Sequence, residues 1–174
     1  MEFIDLAKKR FSLRKFSDKK VEQENLNRIL EAGRVAPTAV NKQPQRIIVL
    51  NNEDSLNKVK KSTKYHFDAP VIIIVCYDSE ESWKNPFNDN DGGVLDVSIV
   101  ITQMMLEATN LGMGTTFVAY FDPEVVSKEF ELPDNIIPVA LLPLGYPADD
   151  AQPSKSHGSR KEIKETVSYN SFKG

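Results

Sequence analysis

Apolar residues return along this chain in two rhythms, and the switches between them predict most of its elements. Over 22–34, Leu26, Ile29, Leu30 and Gly33 fall at i, i+3, i+4 and i+7, one face of a helix. Pro37 ends that pattern, because proline has no amide hydrogen and disfavours helix in the residue before it. A strand is predicted over 45–50 (Gln-Arg-Ile-Ile-Val-Leu) and a helix over 53–61. Val71-Ile72-Ile73-Ile74-Val75-Cys76-Tyr77 is apolar at almost every position, so a strand over 70–77 is expected with both faces buried. Segment 78–91 is polar and irregular, with Trp83, Pro86 and Phe87 set among Asn and Asp; it reads as a mobile connection or a site lid.

The next stretch, 93–111, carries Val94, Leu95, Val97, Ile99, Val100, Ile101, Met104, Met105, Leu106 and Ala108. Apolar groups lie on nearly every side, which predicts a helix buried all round. A chain of 174 residues has little core in which to hide it. Either it is a central core helix, or a homodimer interface covers one of its faces. Gly112 and Gly114 read as a helix cap and the entry to the next strand. A helix over 2–9, a strand over 115–121, a helix over 122–130 begun by Asp122-Pro123, a strand over 137–144 and a closing helix over 161–167 complete the expected set. Helix and strand alternate around one long helix, so the expectation is a layered α+β fold and one domain spanning 1–174. No Gly-x-Gly-x-x-Gly follows the first strand, which disfavours a Rossmann dinucleotide fold.

Composition narrows the function classes. Net charge is −3 with no long basic run, so nucleic acid is not an expected partner. One cysteine, Cys76, cannot form an intrachain disulfide and reads as a small buried thiol. Met1-Glu2-Phe3-Ile4-Asp5 lacks the layout of a signal peptide, and no apolar run reaches the ~18 residues of a membrane span. No membrane partner and a cytoplasmic location are therefore expected. His66 and His157 stand apart in polar contexts and do not make a metal site.

Against that mildly acidic background, one basic segment stands out. Arg10, Ser12 and Arg14 alternate with Phe11 and Leu13, so an extended backbone would set two guanidinium groups and a hydroxyl on one face. Guanidinium offers paired donors that match two phosphate oxygens. The alternative is a solvated basic helix end in Lys8-Lys9-Arg10. After the second helix comes a polar loop, Ala36-Pro37-Thr38-Ala39-Val40-Asn41-Lys42-Gln43-Pro44. Its carboxamides both donate and accept, which suits a ring with several carbonyls and nitrogens; an ordinary turn before a strand is the alternative.

Arg-x-Ser-x-Arg paired with Ala-Pro-Thr-x-x-Asn-x-Gln-Pro resembles the nitroreductase family of flavin enzymes. The likeness continues through Asp96 and the long apolar segment to Asn110-Leu111-Gly112-Met113-Gly114, through Leu142-Pro143-Leu144-Gly145-Tyr146-Pro147, and through Ser159-Arg160-Lys161 with Val167. It spans about residues 2–167. The resemblance implies a mixed central sheet flanked by helices, non-covalent FMN at the interface of a homodimer, and NAD(P)H as electron donor. It further implies that Arg10, Ser12 and Arg14 hold the FMN phosphate and ribityl end. Pro37, Thr38, Ala39 and Asn41 would lie along the flavin, Leu144 and Gly145 would offer backbone near ring and phosphate, and Arg160 with Lys161 would close over the phosphate. Ala119 stands where the family often has Gly, at the backbone amide that faces flavin N5, and bulky Tyr120 follows it.

The implied activity is transfer of electrons from NAD(P)H to a small-molecule acceptor, a nitroaromatic, quinone or similar electron-poor compound, by a ping-pong mechanism. No catalytic side chain is assigned, since the chemistry would rest on FMN N5. The alternative within the same fold is an FMN-binding redox sensor or flavin-storage protein with little turnover. A flavin-free interaction protein, whose basic patch meets an acidic partner, is the alternative from another class.

Overall fold

A computed structural model describes residues 2–172 of the chain. Helices α1 (Phe3–Lys9), α2 (Gln23–Arg34), α3 (Glu53–Lys60), α4 (Gly93–Asn110), α5 (Pro123–Glu129) and α6 (Ile163–Thr166) surround strands β1 (Gln45–Leu50), β2 (Val71–Asp78), β3 (Gly114–Thr115) and β4 (Ile136–Gly145). The strands form one sheet in the order β1-β2-β4-β3. All three ladders are antiparallel, where the resemblance implied a mixed sheet. The one parallel pairing among the described residues is the isolated bridge between Ser12 and Thr115.

β2 explains its own sequence. It is central, and every one of its residues is buried. Val71, Ile73, Val75 and Tyr77 face a core shared with α2 and α4, while Ile72, Ile74 and Cys76 face a second core with Val59 and Val126 from α3 and α5. A strand sandwiched between two apolar layers has no solvent side, so it does not alternate. Cys76 is fully buried and its thiol is pushed up to about 12 by burial, which fits an inert core position.

The expected strand over 115–121 is cut short. Thr115 pairs with Leu144, and Thr116 N–H donates to Pro143 O at 3.2 Å. Pro143 has no N–H to return, so the ladder breaks there and resumes only as a single bridge between Val118 and Leu141. Segment 78–91 is built of turns with one bridge, Lys84 to Asp91.

Helix α4 is buried on the sides that meet the sheet and α2, through Val97, Val100, Ile101, Met104 and Ala108. Its remaining side is bare: Val94 is 47%, Leu95 68% and Ile99 41% exposed. Burial all round is therefore not completed within one chain. Ile99, Thr102 and Leu106 of α4, with Phe3 and Leu6 of α1 and Ala32 of α2, line an open groove of about 770 Å³. Beyond Gln152 the chain is mostly exposed, and Ile163, Val167, Tyr169 and Phe172 all present apolar surface to solvent.

Candidate functional site

The Arg-Ser-Arg segment is extended, as its alternation predicts, and is riveted to the end of the sheet. Leu13 N–H donates to Thr115 O at 3.0 Å, and the Thr116 hydroxyl donates to Leu13 O. Leu13 is 1% exposed because it fills the space that Gly114 leaves: a Cβ at Gly114 would lie 2.6 Å from Leu13 Cδ2. Gly112, at φ +76°, supplies the left-handed turn that delivers the chain from α4 to this contact. The Gly-x-Gly pair thus serves packing and chain reversal, both in support of Ser12.

Around Ser12 the cations gather. Arg10 is half-buried, and its guanidinium is held below its usual value, first by burial and then by the charge of Arg160. Arg160 is fixed from the C-terminal side, where its Nη1 donates to His157 O at 2.6 Å and Ser159 O at 2.7 Å. His157 seats that turn on the first helix: its Nε2 lies 3.2 Å from Lys8 O, and its ring meets Phe11 edge-on at 6.2 Å. Arg14 is exposed and donates through Nη1 to Ser12 O at 3.3 Å. Among the described residues Arg10, Arg14 and Arg160 have no carboxylate partner, whereas neighbouring Lys15 pairs with Asp150 and Lys19 with Glu22. Lys161 is exposed and also forms no ion pair there.

Register places the later residues relative to this cluster. Ser12 bridges Thr115, and Thr115 pairs with Leu144, so the three form one row across the sheet end. The side chain of Leu144 is fully buried in the core, and Gly145 is packed so closely that a Cβ would come within 2.9 Å of Phe16 and Pro70. Both residues are buried as a whole, and neither offers a side chain to a ligand. Val118 pairs with Leu141, three positions along β4, which sets Val118 about 10 Å from the Ser12 row and Ala119 one residue beyond it. Ala119 and Tyr120 are both exposed.

The loop after α2 is held in an unusual conformation. Val40, Asn41 and Gln43 have φ of 52°, 54° and 51°, each in the left-handed region that costs a residue with a Cβ about 1–2 kcal/mol. Thr38 Oγ1 accepts Gln43 N–H at 3.0 Å, and Thr38 O accepts Asn41 N–H at 3.0 Å. Ala39 N–H donates to Asp96 Oδ1 at 2.8 Å. Asp96 is 3% exposed, and its Oδ2 is buried without a hydrogen-bond partner among the described residues. Strain of this kind collects at ligand sites, where the surroundings over-determine it. Pro37 is exposed, and the Asn41 carboxamide makes no hydrogen bond among the described residues.

Asp96 and His157 are residues that sequence reasoning missed as supports. A signal existed for Asp96, a single charge inside the otherwise apolar opening of α4. His157 gave none.

The two halves of the expected site do not meet within one chain. Asp96 and its loop stand at the start of α4, whereas Thr109 and Gly112 at its end line a cavity of about 150 Å³ with Lys9, Phe11 and Leu13. Asp96 and Thr109 stand thirteen positions apart in the helix, about 20 Å along the axis. The structure therefore brings Arg160 to Arg10 and folds Arg14 onto the Ser12 backbone, with Leu144 and Gly145 beside the Ser12 row and Ala119 further along the sheet, and leaves Pro37, Thr38, Ala39 and Asn41 apart.

Comparison with known proteins decides the family. The nitroreductase family profile matches residues 7–67 and 57–146. The chain belongs to the nitroreductase family. The matched residues include Arg10 through Gly145 and stop short of Arg160 and Lys161, whose contacts come from the structure alone. A crystal structure of a nitroreductase family protein from Clostridium difficile 630 superposes with a TM-score of 0.93 at 41% identity, covering 99% of this chain and 100% of the other. An FMN-dependent nitroreductase from Clostridium difficile R20291 gives a TM-score of 0.80 at 26% identity, over 98% and 100% of the two chains. A Methanothermobacter thermautotrophicus protein provisionally named NADH dehydrogenase/NAD(P)H nitroreductase is 34% identical over 157 residues, 86% of this chain and 80% of its own. Within the family frame, the layered α+β arrangement is as expected.

Proposed function

We propose that this protein is an FMN-dependent oxidoreductase that passes electrons from NAD(P)H to nitroaromatic, quinone or similar electron-poor acceptors. The observation that carries the reading is the cluster of Arg10, Arg14 and Arg160 without a carboxylate partner among the described residues. Arg160 stands close enough for its charge to lower the proton affinity of Arg10, an arrangement unfavourable by itself. A phosphate dianion between them reverses that cost. The Ser12 hydroxyl, which makes no hydrogen bond among the described residues, adds a neutral donor. This donor set fits a phosphate monoester, and the unpaired Asn41 carboxamide fits the edge of a flavin ring.

In this reading Arg10, Ser12, Arg14 and Arg160 hold the phosphate, with Lys161 adding positive charge from the same segment. Ala119 lies about 13 Å further along the sheet, four strand residues from Thr115, a span suited to a ribityl chain and the ring beyond it. Bound FMN supplies the electron-transfer chemistry; the protein supplies position and charge. The arginines neutralise anionic charge on the cofactor, and the loop of Pro37, Thr38, Ala39 and Asn41 excludes water from the ring and fixes its orientation. One pocket serves donor and acceptor in turn, so ping-pong kinetics are expected.

The same reading calls for a homodimer. One flavin can touch both halves of the site only if the loop comes from a second copy. A two-fold axis perpendicular to α4 would lay the helices antiparallel and bring the loop of one protomer to the arginines of its partner. It would also cover Leu95, Ile99 and the groove beside them. We read residues 1–174 as one such domain. No helix among the described residues is long and apolar enough to cross a membrane, and a cytoplasmic place suits the reading.

The test is the visible absorption spectrum of the purified protein, followed by anaerobic addition of NADH and NADPH. Flavin bands that bleach with a nicotinamide are expected. Bands that persist would point to a sensor or storage protein. No flavin, even after incubation with FMN, would overturn the site.

A further inference from the structure

Two stretches distant in sequence are tied together around a pair of exposed tyrosines. Thr63 is buried, and its hydroxyl donates to Tyr120 O at 2.5 Å while accepting Tyr65 N–H at 3.1 Å. Asp122 N–H adds a second tie, to Ser62 O at 2.8 Å. Between these pins the Tyr65 and Tyr120 rings meet edge to face, centroids 5.3 Å apart and planes at 85°. Phe67 lies 6.0 Å from Tyr65. The following backbone is strained, with φ of 53° at Phe67 and 48° at Asp68, values that residues with side chains rarely adopt.

Core packing does not require this arrangement, because Tyr120 is 70% and Tyr65 37% exposed. The buried parts are the pins; the rings themselves face outward. A hydrogen-bonded support beneath two ordered, exposed aromatic rings is how a chain presents a recognition surface at low entropic cost. The surface directly follows Ala119.

We propose that Tyr65 and Tyr120 form the acceptor-side wall of the site and dock planar, electron-poor aromatic rings. This rests on the reading of the protein as an FMN oxidoreductase, since that reading is what sets Ala119 beside the flavin. Phenol rings are electron-rich, and their faces complement a ring depleted by nitro or carbonyl groups. Lys64, whose Nζ lies 5.3 Å from the Tyr65 ring centroid, offers a cation to the oxygens of such groups. Thr63 acts through the two tyrosines as a positioning residue.

The experiment compares two acceptors on FMN-loaded protein with NAD(P)H as donor: menadione, a planar quinone, and ferricyanide, an octahedral inorganic anion with no ring. The readout is the ratio of the two kcat/KM values. Tyr120→Leu and Tyr65→Leu should each lower the menadione-to-ferricyanide ratio about 5- to 10-fold, the worth of one ring contact, mainly through the menadione KM. Tyr120→Phe keeps the ring and should restore the ratio. Thr63→Val, which removes the pin but neither ring, should shift it in the same direction as the Leu variants. A ratio that stays at the wild-type value in both Leu variants, in protein that is flavin-loaded and bleached by nicotinamide, overturns the tyrosine assignment alone. Wild-type protein that takes up no flavin, or whose flavin no nicotinamide reduces, overturns the functional reading and this assignment together.

Discussion

Asp96 Oδ1 accepts the Ala39 N–H at 2.8 Å, joining the start of α4 to a loop 57 residues earlier in the chain. The bond stands at the head of three left-handed residues, Val40, Asn41 and Gln43, which local sequence alone would not hold. The buried Asp96 side chain also leaves Oδ2 without a partner among the described residues, so the arrangement is not the one that stability by itself would choose. Replacing Asp96 with Ala removes a charge-assisted bond worth about 1.5–3 kcal/mol and lets the loop relax. FMN affinity, followed by quenching of flavin fluorescence, should fall roughly tenfold or more. Asp96→Asn keeps an acceptor for Ala39 and should retain most of the affinity. Equal losses in both variants would count against the loop-holding role.

Charge reversal at the other half of the site should be more severe. Arg14→Glu replaces a donor with an acceptor in the proposed phosphate cradle and should leave the purified protein colourless. A full flavin complement in that variant would overturn the phosphate assignment. For the wild type, FMN affinity should decline with rising ionic strength, because exposed Arg14 is open to screening.

The bare face of α4 gives a third prediction. Ile99→Glu places a carboxylate in the apolar groove without touching the arginine cluster. Sedimentation should show a monomer, and flavin should be lost with the dimer although Arg10, Ser12 and Arg14 are intact. A monomer that retains flavin would show that one chain completes the site.

Glu22 supplies a test by pH. Its carboxyl is lowered to about 2, first by the hydrogen bond from the Tyr146 hydroxyl at 2.6 Å, with help from Asn25 and Lys19. A carboxyl whose folded-state value is depressed stabilises the fold above its ordinary value of 4.5, and that contribution disappears as pH falls from there through about 2. Its side chain is 48% exposed, so solvent screens the effect and the gain in stability is small. In Tyr146→Phe the Glu22 titration, read by carboxyl NMR, should move up towards 4.5, and acid unfolding should begin at higher pH. An unmoved titration would deny the tyrosine its role.

Much of the fold was legible because it rests on local signals. The helical spacing of Leu26, Ile29 and Gly33, the unbroken apolar run of β2 and the Asp122-Pro123 start each act over a few residues. Asp122 indeed caps α5, accepting from Glu124 and Val125. The strand over 115–121 misled because its limit lies in its partner: Pro143 withholds the hydrogen bond that Thr116 would need. The candidate residues were legible as types, guanidinium, hydroxyl and carboxamide, while their supports were not. His157 reaches Lys8 across 149 residues, and no pattern near either position announces it.

By itself, then, the sequence determined most of the helices and strands and offered residue types suited to phosphate and ring contacts, since both follow from side-chain type and short-range spacing. Tertiary structure alone decided how those residues combine. It packed Leu13 against Gly114, drew Arg160 to Arg10, bound Ala39 to Asp96, and set the two halves of the site at opposite ends of one helix. Each of these depends on which distant segments the buried core brings side by side, and contact across the core has no period along the chain.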